Sequence, residues 1–94
     1  MKFEWDMEKA QINEVKHHID FETAARVFLD PNRYEEYDDS HDEYEERWKT
    51  IGLVGPAVLV VIFTERGPGG EVIRIISARK ANEKERKTYY EVRA

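Results

Sequence analysis

The stretch AVLVVIFTERGPGGEVIRIISARK, Ala57 to Lys80, decides the fold of this 94-residue chain. It reads as a strand, a turn and a second strand. Both strands are rich in β-branched and apolar residues, which suit a pleated, half-buried surface. Gly67-Pro68-Gly69-Gly70 supplies one fixed φ and several residues that tolerate positive φ, so the chain reverses there. Arginines begin to sit among buried residues here: Arg66 at the end of the first strand, Arg74 and Arg79 along the second. A guanidinium among valines and isoleucines calls for an anionic partner, internal or external.

Working outward, Arg47-Trp-Lys-Thr-Ile-Gly-Leu53 is a third strand, with Arg47, Lys49, Ile51 and Leu53 on one face. Tyr34 to Tyr37 is a fourth. Short turns between these strands predict an antiparallel meander. Phe3-Glu4-Trp5 is a first short strand. Asp6 then caps a helix from Met7 to His18, whose apolar positions are Ala10, Ile12 and Val15 and whose polar side, including Asn13, should be solvated. Asp20 caps a second, more apolar helix, which Asp30-Pro31 stops. Asn82 with Glu85 makes a capping-box pattern ahead of a last helix, Glu83 to Arg93. The order β-α-α-β-β-β-β-α predicts one α+β domain over residues 1–94: a small antiparallel sheet with two N-terminal helices and one C-terminal helix.

Charge is unevenly spread. Residues 1–46 carry net −10 and residues 47–94 net +5, giving −5 overall. The second half can therefore present a basic face to a polyanion, or the halves can simply attract each other. There is no cysteine, which excludes disulfides and thiolate zinc sites. The longest apolar run, Ala57 to Phe63, is too short to span a bilayer, and MKFEWDMEKA has no signal-type apolar region. The expectation is a cytoplasmic protein with no membrane partner.

Candidate chemistry is limited. Residues 33–46 hold eight carboxylates but lack the spacing of a calcium loop, so a solvated loop outweighs a metal site. His17 and His18 at a helix end could transfer protons or simply interact with the helix dipole. Along the 71–79 strand, simple alternation puts Arg74 and Arg79 on opposite faces. The hairpin also sets Arg66 and Arg79 far apart.

Four segments taken together resemble a known family: FEWDMEKAQINEVKHHIDFETAARVFLDP, ERWKTIG, VLVVIFTERG and IRIISARKANEKERKTYYE. They are similar to the BrnT family of bacterial type II toxins, in order and over nearly the whole chain. One departure is His18, where the family usually has glycine and where a positive φ is therefore expected. The resemblance implies a RelE-like fold and an endoribonuclease that cuts RNA without a metal or other cofactor and halts translation. It implies neutralisation by a BrnA-like antitoxin, through which alone DNA is contacted, and a dimer or a toxin–antitoxin heterotetramer. Carried over residue by residue, the catalytic candidates are Arg79, Arg66, Arg47, His17 and Glu65. The RNA-binding candidates are Lys16, Arg74, Lys80 and Arg86. The alternative is a non-catalytic interaction module, a co-repressor with a DNA-binding partner.

Overall fold

The computed structural model describes residues 1–39 and 45–93. Five strands and three helices follow in the expected order: β1 (Lys2–Glu4), α1 (Met7–His17), α2 (Phe21–Ala25), β2 (Tyr34–Asp38), β3 (Arg47–Val54), β4 (Ala57–Arg66), β5 (Val72–Lys80) and α3 (Glu83–Arg93). The α+β class holds. The last turn of the second helix tightens into a 3-10 segment, Arg26–Leu29. The sheet runs β1-β5-β4-β3-β2. The meander β2 to β5 is antiparallel, but β1 lies parallel to β5, so the sheet is mixed. A parallel neighbour needs a long crossover, and the return from β1 through α1, α2 and the meander supplies it.

Each sheet face buries its own cluster. On one, Leu59, Val61, Phe63, Ile73, Ile75 and Ala78 meet Ile19, Phe21, Ala24, Val27 and Phe28 from the α2 region. Phe28 packs edge-on against Phe63 at 5.1 Å and at a tilt against Phe3 at 5.3 Å. On the other, Ile51, Val58 and Val60 meet Ala81, just after β5, and Tyr89 from α3. Asp30 ties the two sides together. Its Oδ2 accepts from the Leu53 amide at 2.8 Å and from the Tyr89 hydroxyl. Gly52 allows this approach, since a Cβ there would stand 3.0 Å from both Val27 Cγ1 and Arg33 Cβ.

The N-caps form as the sequence indicates: Asp6 accepts from the Lys9 amide, and Asp20 from the Thr23 amide. The orientation of α1, however, reverses the sequence expectation. Asn13 is not solvated but buried, 6 % exposed. Its amide nitrogen donates to the Ile19 and Ala78 carbonyls at 3.1 and 2.9 Å, and its oxygen accepts from the Ala78 amide at 3.1 Å. β1 pairs only with Val72 to Arg74. Asn13 therefore serves the open edge of β5 beyond β1, as a neighbouring strand would. Ile12 and Val15 take no part in the core and stay 58 and 80 % exposed.

His18 closes α1 in the left-handed region, φ 60° and ψ 30°, its amide donating to the Glu14 carbonyl. The positive φ expected at this position is present. Replacing His18 by glycine should stabilise the fold by about 1 kcal/mol, the usual cost of a side chain in that conformation. Asn13→Ala strands three buried backbone groups and should cost about 3 kcal/mol. Urea unfolding of both variants checks these values, and an Asn13→Ala change below about 0.5 kcal/mol would contradict the edge-pairing role.

Candidate functional site

Strand alternation alone would send Arg74 and Arg79 to opposite faces. The pairing of β4 with β5 shows why it does not. Ile62 faces Ser77 while Phe63 faces Ile75, so Ile76 is an extra residue in β5. Such a bulge shifts the alternation by one position and re-aims the side chains beyond it. Arg74, opposite Thr64, and Arg79, opposite Val60, consequently share the α3 face of the sheet. The expectation from strict alternation is corrected by this one residue.

Neighbouring strands fill in the surface. Tyr34, Ile51, Val60 and Arg79 form one row across the α3 face, and Glu36, Lys49, Ile62 and Ser77 the next. Farther along, Asp38 is paired with Arg47, and Thr64 with Arg74. Rows on one face are about 7 Å apart. Tyr89 of α3, with Ala81 ahead of that helix, covers the apolar end around Val58 and Val60. Half-buried Ile62 and Ser77 are left as a neutral floor, with Arg79, Lys49, Arg47 and Arg74 around it.

Each arginine of the ring is held by a carboxylate. Arg79 donates through Nη1 and Nη2 to the two oxygens of Glu85, at 2.7 and 2.8 Å. Glu85 also accepts from the Asn82 amide at 2.9 Å, while Asn82 Oδ1 accepts from the Glu85 amide. The expected capping box therefore doubles as an arginine clamp. Lys49 Nζ lies 3.7 Å from Glu85 Oε2. The Arg79 hydrogen bonds, opposed by burial, hold the Glu85 carboxyl far below its ordinary value, at about 2. Arg79 also donates to the Lys80 carbonyl, which still leaves two of its five N–H groups for a ligand. Arg74 pairs with Glu4 at 2.8 Å, the internal alternative the sequence allowed for it. Arg47 and Arg66 share Glu45, at 3.5 and 2.7 Å.

The remaining candidates are dispersed. Arg66 lies on the same face beside Arg47, whose Glu45 it shares, but six residues along β4 from Val60, the partner of Arg79, and so about 20 Å from Arg79. Glu65 and Lys80 alternate to the opposite face, and Glu65 sits near Gly70 at the hairpin end. Arg86 is exposed on α3 and, among the described residues, pairs with neither Glu83 nor Glu85. Lys16 and His17 line a groove of about 210 Å³ between α1 and β5, together with Lys9, Ile12, Asn13, Ile76 and Ser77. Ser77 belongs to both groove and floor, which makes the two features adjoin. Sequence reasoning missed Lys49 and Glu85 as site residues. Alternation places Lys49 on the Arg47 face without marking it as functional, and Glu85 is legible only as a cap. Among the described residues no three His, Asp or Glu converge as a metal-binding group, and residues 40–44 of the acidic stretch lie outside that description.

A family model described as the ribonuclease toxin BrnT of type II toxin–antitoxin systems matches residues 5–85. The crystal structure of the Brucella abortus ribonuclease toxin BrnT is similar, with 30 % identity and a TM-score of 0.65, over 88 % of this chain and 99 % of that one. A comparison with curated proteins finds no match.

The Glu85 clamp has a pH signature. Its carboxyl titrates below the ordinary 4.5, so its contribution to stability is complete above that pH and is lost as pH falls toward 2. Glu85→Gln keeps a capping acceptor but loses the charge. It should be less stable than the parent at pH 7, with the difference vanishing toward pH 2. Thermal unfolding across that range checks this, and a difference independent of pH would contradict it.

Proposed function

The chain belongs to the BrnT family of ribonuclease toxins of type II toxin–antitoxin systems, and from that premise we propose that it is a metal-independent endoribonuclease working on the cation-ringed floor of its sheet. The single observation that carries this reading is the gathering of Arg79, Lys49, Arg47 and Arg74 around one uncharged floor. RNA cleavage without a metal needs fixed positive charge where the phosphate gains negative charge. Arginine forks suit that task, and carboxylate clamps orient them in advance.

In the reaction, a ribose 2′-oxygen attacks the adjacent phosphorus. The new P–O2′ bond forms as the P–O5′ bond breaks, leaving a 2′,3′-cyclic phosphate and a 5′-hydroxyl. Arg79 and Lys49 hold the non-bridging oxygens, with Arg74 and Arg47 along the strand. His17, in the adjoining groove, accepts the 2′-hydroxyl proton, and the 5′-oxygen takes a proton from the imidazolium or from water. Glu85 orients Arg79, since a carboxyl held near 2 is too weak a base for the proton transfer. Lys16 binds a flanking phosphate. Arg66, Lys80 and Arg86 add only to the outer field, and Glu65 has no role on this face. The protein acts in the cytoplasm, where its RNA substrate and its BrnA-like antitoxin are made.

The internal pairing of every ring arginine favours one second reading, a co-repressor that binds its DNA-binding antitoxin and cuts nothing. Purified protein on total RNA in excess chelator separates the two. Cleavage leaving cyclic phosphate ends is expected, slowed about 100-fold by Arg79→Ala or by Lys49→Ala, the usual loss for a transition-state donor. Cleavage that requires added divalent metal, or is indifferent to both substitutions, would overturn the proposal.

A further inference from the structure

Helix α1 is mounted with its polarity reversed. Its most buried side chain is Asn13, and Ala10 and His17 share that inner side, half-buried. Ile12 and Val15, the residues a sequence pattern would bury, face solvent at 58 and 80 % exposure. Two exposed aliphatics one helical turn apart form an apolar stripe on the outer side of the helix. Beside them runs the groove to β5. Its cationic and titratable lining is Lys9, Lys16 and His17, its apolar lining is Ile12 and Ile76, and no carboxylate lines it. Among the described residues, neither Lys9 nor Lys16 forms an ion pair, unlike the arginines of the sheet. Glu8, one turn before Ile12, is the nearest acidic residue on that outer stripe.

We infer that this α1 surface, from Val15 and Ile12 into the groove, is the seat of an acidic amphipathic segment of the antitoxin. The chemistry separates the two polyanionic occupants. A phosphate backbone would use Lys9, Lys16 and His17 but has no use for exposed isoleucine and valine. A peptide segment with one or two large apolar side chains flanked by carboxylates uses all of them. The position explains how such a partner would neutralise the protein. Ser77 is common to the groove and the cation-ringed floor. A chain seated in the groove covers His17 and the near side of the floor, so RNA and antitoxin exclude each other. The inference rests on the toxin reading above, because it takes the antitoxin as the partner.

Binding and cleavage are measured separately. In the first arm, the double variant Ile12→Asp, Val15→Asp is titrated with purified cognate antitoxin in the absence of RNA. Affinity should fall about 100-fold, as for apolar anchors replaced by charge. Cleavage of RNA by the single variant Val15→Asp, which lies outside the groove lining, should match the parent. Lys9→Glu should weaken antitoxin binding about tenfold by itself. A second arm needs no loss of function. The chain has no cysteine, so Val15→Cys carries a single photo-cross-linker, which should join toxin to antitoxin in the assembled complex. Antitoxin affinity of the double variant within twofold of the parent, with no cross-link from position 15, overturns the inference. So does Lys9→Glu that leaves antitoxin binding intact, since the groove would then take no part in seating the antitoxin. A parent protein that cuts no RNA, yet loses its antitoxin with Ile12 and Val15, supports the docking surface and removes only the cleavage reading.

Discussion

One inserted residue in β5 organises the charged surface of this protein. Without Ile76 the strand would alternate strictly, and Arg74 would point to the side of the Phe28 and Phe63 core while Arg79 pointed to the side of α3. A guanidinium in that apolar layer would be costly, since nothing there could satisfy five donors. The bulge instead keeps Ile73, Ile75 and Ala78 on the core side and both arginines on the other. Packing and the placement of charge are thus set by the same local irregularity: it preserves one hydrophobic layer and puts both arginines of β5 on one face.

The basic face is stiff because its charges are already paired. Glu85, Glu45 and Glu4 each hold an arginine, and each comes from a different part of the chain. Such partly exposed pairs add modestly to stability. Their larger effect is on geometry, because a clamped guanidinium meets a phosphate without first losing its own rotamer freedom. The net charge of −5 is compatible with this, since residues 1–46 carry most of the acidic side chains and Glu85, Glu45 and Glu4 orient the cations. α3 contributes in two ways. Its Tyr89 seals the apolar end of the face, and its capping box supplies the Glu85 clamp.

Much of this was legible in the residues. Asp6, Asp20 and the Asn82–Glu85 box announced the helix starts, because capping is a local hydrogen-bond pattern. His18 in place of glycine announced a left-handed residue, and the structure has one. The faces of β3 followed from alternation alone. The hidden features are those that local pattern does not encode. Ile75-Ile76-Ser77 has no glycine or other sign of a bulge, so register could only come from the partner strand. Asn13 looks like any exposed helix asparagine until the short β1 leaves an edge for it to close. The parallel placement of β1, and with it the outward turn of Ile12 and Val15, comes from the whole topology rather than from any segment.

The central claim, that the bulge gathers these cations into one RNA-binding face, is tested most directly by the salt dependence of binding. An RNA with 2′-O-methyl groups, which cannot be cut, would be titrated over a range of salt concentrations. The parent would be compared with single and paired alanine variants of Arg47, Lys49, Arg74 and Arg79. Each cation that meets a single-stranded phosphate contributes about 0.7 to the slope of log affinity against log salt. The account predicts a loss of about that size for each ring residue and about twice that for each pair. Slopes unchanged by the ring substitutions, with the loss appearing instead on removing Lys84 and Arg86 of α3, would place the RNA elsewhere and contradict it.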